Sequence, residues 1–168
     1  MSPIALRPAT PADAAAICLV YNQGIEDRIA TLETELRTPE ERRQWLAARG
    51  PKHPVYVALA EDGREPTIVG WGSLNVYNPR PAYQYVADFS IYIERAWRGK
   101  GVGRRLLEHL IEQARALGYH KLMLSAFPFN ATGVALYERL GFTRVGVLHE
   151  MGQLDGRWVD TLIMEKLL

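Results

Sequence analysis

The chain has 168 residues, 20 Lys+Arg against 19 Asp+Glu and 48% hydrophobic residues, a composition that excludes a disordered chain and, at this length, provides for a core without covalent staples. A formal net charge of +1 offers no global attraction to nucleic acid or to an anionic membrane, so any basic site must be local. The single Cys18 excludes an internal disulfide and fits a reducing compartment.

Ile4 to Arg7 reads as a short strand. Thr10-Pro11-Ala12-Asp13 then supplies a hydroxyl cap, a proline at the first helical position and an acid, and predicts a helix with Ala14, Ile17, Tyr21 and Ile25 on its inner face. Cys18 lies beside that stripe with no neighbouring cation to activate it, the setting of a packing thiol. Gly24 to Arg37 reads as a loop. Thr38-Pro39-Glu40-Glu41 starts a second helix that should end at Arg49-Gly50.

Val55 to Ala60 and Ile68 to Leu74 predict an antiparallel hairpin turning at Glu61-Asp62-Gly63. Asn78-Pro79-Arg80-Pro81 breaks the chain before a third apolar run, Tyr83 to Ile93. A helix from Gly101 to Leu117, a strand from Lys121 to Phe127 and a short helix from Asn130 to Leu140 follow. Two last runs, Phe142 to Met151 and Trp158 to Met164, flank the hairpin signal Asp155-Gly156. The order predicts an α+β (mixed α/β) fold around a largely antiparallel sheet, with residues 1–168 as one domain. Trp71, Trp97 and Trp158 read as packing residues.

The four histidines, His53, His109, His120 and His149, have no Cys or His at ligand spacing, so no metal is expected. The amino terminus has no leader-like apolar run, and nowhere do about 18 apolar residues run together. The expected location is the cytoplasm, with neither membrane nor nucleic acid as a partner.

The segment richest in chemistry is Arg98-Gly99-Lys100-Gly101-Val102-Gly103-Arg104-Arg105, between a strand and a long helix. Glycines let backbone amides turn around an anion, and the helix start and flanking cations add positive charge. A dinucleotide fingerprint would need glycine at Arg104 or Leu106, and a Walker loop needs Gly-Lys-Ser/Thr, so neither template fits. Taken alone, the segment is equally compatible with a glycine-rich turn whose cations are solvated.

Arg98-x-x-Gly101-x-Gly103 after an apolar strand resembles the coenzyme A pyrophosphate loop of the GNAT-type N-acetyltransferase superfamily. Asn130 to Phe142, with Tyr137, Glu138, Gly141 and Phe142, resembles that superfamily's second conserved block. The resemblance implies a GNAT-like sheet flanked by about four helices and acetyl-CoA as co-substrate. It places the pantetheine arm on the backbone of Ile91, Tyr92 and Ile93, the pyrophosphate on Arg98 to Arg104, and Asn130 beside the cofactor.

The chain is also similar to the group of these enzymes that inactivates phosphinothricin, methionine sulfoximine and arsinothricin. The matching stretches are Tyr21-Asn22-x-Gly24-Ile25-Glu26, Thr31-Leu32-Glu33-Thr34 with Arg37-Thr38, Arg80-x-x-Tyr83 with Asp88, and Asp155-Gly156-x-Trp158-x-Asp160. Relatives often carry Phe at Leu32 and Glu at Asp88. The group resemblance implies acetylation of the primary amine of a small glutamate-like amino acid, detoxification as the role, and a homodimer in which an edge strand near Asp155 to Asp160 takes part.

Transfer to an amine requires that the ammonium lose a proton before attack, and a carboxylate can take it directly or through water. Strand alternation puts Asp88, Ser90 and Tyr92 on one face and Phe89, Ile91 and Ile93 on the other. Asp88 is the candidate base, although it also suits a structural ion pair. An isolated aspartate near about 3.9 is a weak base, so burial or a water relay must help it. Tyr137 matches the family's acid for the departing thiolate, a role that competes with that of a core tyrosine. Arg80, with Tyr83 nearby, offers a forked donor for an acidic acceptor, or is a solvated loop residue. Rival readings are an acetyltransferase for a polyamine, an aminoglycoside or a protein amino terminus, and a non-catalytic acyl-CoA sensor.

Overall fold

The computed structural model describes residues 3–61 and 65–168. The predicted apolar runs meet in one seven-stranded sheet. Its strands are β1 (Ile4–Pro8), β2 (Val55–Ala60), β3 (Thr67–Val76), β4 (Val86–Ile93), β5 (Lys121–Ala126), β6 (Thr143–Leu154) and β7 (Arg157–Leu167), in the spatial order β1-β2-β3-β4-β5-β7-β6. The β4/β5 pair is parallel and the others are antiparallel, as the sequence predicts for a mixed α/β fold. The helices are α1 (Ala14–Glu26), α2 (Pro39–Ala47), α3 (Val102–Ala116) and α4 (Ala131–Arg139). Among the described residues no helix is long and apolar enough to cross a membrane.

The sheet is covered on both faces. On one, the α3 stripe Leu106, Leu107 and Leu110 packs on Leu74, Ala87, Leu122 and Met164, with Phe89, Ile91 and Ile93 leaning onto it. On the other, Ile17 and Val20 of α1 pack on Val55, Val57 and Trp71, with Tyr21, Trp45 and Tyr92 against them. The expected alternation along β4 is therefore observed. Gly24 makes the α1 contact possible, because a Cβ there would lie 2.7 Å from the Tyr92 ring. Cys18 is buried, its thiol pushed up chiefly by burial and donating to the Arg37 carbonyl at 3.1 Å.

Some boundaries move. The third run begins at Val86 rather than Tyr83, because Pro81 starts a one-turn 3-10 helix in which the Tyr83 N–H donates to the Arg80 carbonyl at 2.9 Å. α2 stops at Ala47, and Arg49 beyond it donates to the His53 carbonyl at 2.8 Å. β2 and β3 pair as predicted, while Asp62 and Gly63 of their turn lie outside the described residues. Asp155 and Gly156, with φ of 50° and 76°, make the expected tight turn between β6 and β7. One expectation needs correction: Trp158 is 60% exposed and does not pack. β6 is the outermost strand, and β7 pairs with β5 only from Leu162 onward, so residues 157–161 have β6 alone beside them, an edge near Asp155 to Asp160 as expected.

The α1 end of the sheet is fastened by Asp13. Its buried carboxylate accepts from both terminal nitrogens of Arg7, at 2.7 and 2.9 Å, and from the Thr10 N–H at 2.7 Å. Asp13→Asn is expected to cost about 2 kcal/mol of stability at pH 7. The Arg7 hydrogen bond is the main reason that the Asp13 carboxyl sits below its ordinary 3.8. Its contribution is thus present above that value and fades as pH falls through the lowered one. Urea midpoints should differ at pH 7 and converge as the pH falls through the lowered carboxyl value.

Candidate active site

β4 and β5 pair at Val86↔Lys121, Ala87↔Leu122 and Asp88↔Met123 and then part. β4 runs on to Ile93, hydrogen-bonded only to β3. At the fork, Tyr137 of α4 and Phe142 pack against the Phe89 ring with centroids 5.9 and 5.5 Å away. The cleft between the strands, about 210 Å³, is lined by Asp88, Ser90, Ile91, Tyr92, Asn130 and Tyr137 among others. Backbone donors and acceptors on that side of β4 have no strand to pair with, which suits an extended amide-bearing chain.

The glycine loop follows directly. Glu94 caps a turn at Arg95–Trp97, its carboxylate accepting from the Ala96 N–H at 2.9 Å, and the chain reaches α3 through Gly99 (φ 73°) and Gly101 (φ 84°). A Cβ at either glycine would meet nothing within 4 Å, so glycine is needed for the left-handed backbone and the space outside it is open. Val102 is buried and anchors the first turn of α3, which carries no acid. Lys100 lies 5.1 Å from the Trp97 ring centre, and Arg104 pairs with Glu108 at 2.8 Å. Gly103 lies in ordinary contact with Leu136 and Ile93, fitting α3 against α4 and β4.

Arg98 does not face the open loop. Its guanidinium pairs with Asp27 just past α1 and donates from Nε to the Ile93 carbonyl at 3.2 Å. Arg95 joins the same carboxylate at 2.7 Å, and its hydrogen bond, followed by that of Arg98, holds Asp27 below the ordinary carboxylate range. Arg98 therefore ties α1 to the end of β4, and loop N–H groups and the α3 start are left to meet an anion.

Asp88 sits at the fork, half-buried. Burial raises its pKa, while the Asn75 amide and the Arg49 charge oppose the rise. This is the direction a carboxylate needs to serve as a base. The Tyr137 phenol is pushed up by burial and so keeps its proton at neutral pH. Asn130 caps α4, accepting from the Gly133 N–H at 3.1 Å, and donates to the Ile29 carbonyl at 3.4 Å, which joins the loop after α1 to the cleft.

A second cavity of about 340 Å³ lies on the α1/α2 side, lined by Arg37, Arg42, Arg49, Trp45, Trp71 and Asn75 among others. Ser90 and Tyr92 line both hollows, so the two border the same stretch of β4. Sequence reasoning noted Arg37 only within a matching stretch and passed over Arg42 and Arg49, although Arg42, Trp45 and Arg49 follow three- and four-residue steps that put them on one side of α2 and its exit. Arg49 is lowered to about 10, first by burial and then by the charge of Arg42. Arg80 and Tyr83 line neither hollow. Arg80 is exposed, and Tyr83 packs on Tyr77 at 5.9 Å in the β3/β4 connection.

The acetyltransferase (GNAT) family model matches residues 22–142, from within α1 through the cleft, the glycine loop and α4. The chain belongs to the GNAT acetyltransferase family. An L-methionine sulfoximine/L-methionine sulfone acetyltransferase of Pseudomonas paraeruginosa is 32% identical, covering 95% of this chain and 92% of that protein. A GNAT phosphinothricin acetyltransferase of Sinorhizobium meliloti, solved with acetyl-CoA, is 30% identical with a TM-score of 0.91, covering 100% of this chain and 89% of that one. A structure named ribosomal-protein-alanine N-acetyltransferase, from Brucella melitensis, is 38% identical with a TM-score of 0.91, covering 98% and 99%. As a GNAT acetyltransferase, the chain carries two hollows whose chemistry differs: one bordered by unpaired strand backbone, the other by arginines.

Proposed function

We propose that residues 1–168 act as one acetyl-CoA-dependent N-acetyltransferase domain, acting on the α-amino group of a small glutamate-like amino acid of the phosphinothricin, methionine sulfoximine or arsinothricin kind. One observation carries this reading: the cleft beside unpaired β4 shares Ser90 and Tyr92 as walls with a cavity rich in arginine. Left-handed Gly99 and Gly101, open on their outer side, fit a pyrophosphate, and the free side of Ile91 to Ile93 fits a pantetheine arm. The names of the sulfoximine and phosphinothricin relatives support the acceptor class.

In this reading the coenzyme supplies the activated acetyl group. Asp88 takes a proton from the acceptor ammonium, directly or through water, and the freed amine forms the amide as the C–S bond breaks. Backbone N–H groups at Ile91 to Ile93 hold the developing oxyanion. Tyr137 gives its proton to the departing sulfur and is reprotonated, through water, by the second proton that the nitrogen loses as the amide forms; no covalent enzyme intermediate forms. Arg80 and Tyr83, in the exposed connection before β4, contribute to acceptor binding from outside the cavity. The enzyme works in the cytoplasm, where Cys18 stays reduced, and detoxifies glutamate-like inhibitors.

A homodimer is part of the proposal. β6 lies at the sheet edge and exposes Val145, Val147, Leu148 and Met151, 40–57% accessible, beside Trp158. A second copy would cover this apolar edge. Sedimentation should give twice the mass of 19.0 kDa, and a monomer at micromolar concentration would remove the dimer from the proposal.

A thiol-release assay with acetyl-CoA and a panel of phosphinothricin, methionine sulfoximine, spermidine and an alanine-initiated peptide tests the acceptor class. The expected kcat/KM is highest for the first two. Preference for the peptide, the kind of acceptor that the name of the Brucella melitensis structure indicates, would replace the acceptor. Coenzyme binding with no turnover would leave a sensor.

A further inference from the structure

Three guanidinium groups line the α1/α2 cavity, and their surroundings differ. Arg37 pairs with Glu33 and lies 3.8 Å from Glu41, so the nearby acids are committed to it. Arg49 is committed to carbonyls, donating to His53 at 2.8 Å and to Leu74, and to the Asn75 side-chain oxygen at 2.9 Å. Arg42 has neither kind of partner. Its guanidinium carbon lies 5.0 Å from the Tyr21 ring centre and 4.8 Å from that of Trp45. Its Nε, like that of Arg37, is buried without an acceptor among the described residues, but Arg37 has its carboxylate partners and Arg42 has none. The indole N–H of Trp71, a residue only 2% exposed, is likewise unpartnered on the same cavity wall.

A guanidinium stacked on aromatic rings has its position fixed while its N–H groups still point outward in the plane of the fork. A half-buried cation of this kind, beside two other cations and with no carboxylate of its own, is costly unless an anion completes it. The cavity is closed on the sheet side by Ser90 and Tyr92, whose other edge faces the cleft that holds Asp88. A small acceptor with its amine at Ser90 and Asp88 would therefore extend its other end toward α2.

We propose that Arg42 is the oxyanion-recognising residue of the acceptor site, forking onto a carboxylate, phosphinate or sulfoximine-type oxygen of the amino acid while Tyr21 and Trp45 hold it in plane. This rests on the function proposed above and adds to it the residue that selects acidic acceptors. Arg42 is a specificity residue and takes no part in proton transfer.

The test is steady-state kinetics of Arg42→Met and Arg42→Lys, together with a titration of tryptophan fluorescence by phosphinothricin in the absence of acetyl-CoA, since Trp45 and Trp71 both line the cavity. Arg42→Met should raise KM for phosphinothricin about 30-fold and change kcat by less than about threefold, with Arg42→Lys between it and the wild type. L-Methionine, which keeps the α-carboxylate and lacks a side-chain oxyanion, separates the two sources. An equal rise in its KM assigns the α-carboxylate to Arg42, and an effect confined to phosphinothricin assigns the side-chain oxyanion.

Normal turnover with an unshifted KM in the folded Arg42→Lys and Arg42→Met proteins would overturn the subsite and leave the proposed function standing. So would a fall in kcat with KM unchanged. A saturable fluorescence change in the wild type that is lost in Arg42→Met, with no acetylated product, would uphold the subsite and reject the proposed function. A titration curve unaffected by either substitution would overturn the subsite.

Discussion

Asp88→Ala is expected to lower kcat by about 10²-fold or more at neutral pH while leaving acetyl-CoA affinity within a few-fold. The side chain stands where β4 and β5 part, beside Ser90 and facing the same cleft as Tyr137. Burial is the largest influence on its acidity and raises it, with Asn75 and Arg49 pulling the other way. A base must be unprotonated, so kcat/KM should rise with pH through an ionisation above the ordinary carboxylate value, and this acid limb should disappear in the alanine variant. Asp88→Asn separates charge from size, because it keeps the shape and should be as slow as alanine. A pH-rate profile identical in wild type and Asp88→Asn would show that the carboxylate is a structural partner of Asn75 and Arg49.

Gly101→Glu is expected to weaken acetyl-CoA binding at least about 100-fold, from two causes. The residue has φ of 84°, so any side chain strains the turn that starts α3, at a cost of about 1 kcal/mol. The larger part comes from placing a carboxylate where loop N–H groups and the helix start favour a phosphate. Nothing lies within 4 Å of the Cβ position, so the substitution does not disrupt packing. Gly101→Asn tolerates the left-handed backbone and carries no charge, and should cost much less. Calorimetry distinguishes the two, and equal affinities for wild type and Gly101→Glu would remove the loop from the coenzyme site.

The elements were legible where a local signal sets them. Thr38-Pro39-Glu40-Glu41 does form a capping box, with the Glu41 carboxylate accepting from the Thr38 N–H at 2.6 Å, and Asp155-Gly156 does turn. Alternation along β4 separated Phe89, Ile91 and Ile93 from the face of Tyr92 without knowledge of the partners. Positions set by distant contacts were not legible. Arg98 follows the family's loop pattern, yet its guanidinium is drawn to Asp27, 71 residues away in sequence. Arg80 stands out beside tyrosines in the sequence, but a proline turn carries it onto the surface.

The arginine cavity gathers side chains from the loop before α2, from α2 and its exit, and from β3 and β4, and no single segment announces it. Only its Arg42/Trp45/Arg49 spacing was visible, and that spacing alone also describes a solvated helix face. Trp158 misled for the opposite reason: a large aromatic suggests burial, whereas this one stands exposed beside the open β6 edge.

The most direct measurement is a crystal structure of the protein grown with coenzyme A and phosphinothricin. The expected density runs along the unpaired side of β4 from Ile93 to the Asp88 fork, with the pyrophosphate on the Gly99 to Gly103 backbone and the amino acid across Ser90. Coenzyme density elsewhere on the sheet, or a β4/β5 cleft closed by side chains in the presence of saturating ligand, would contradict it.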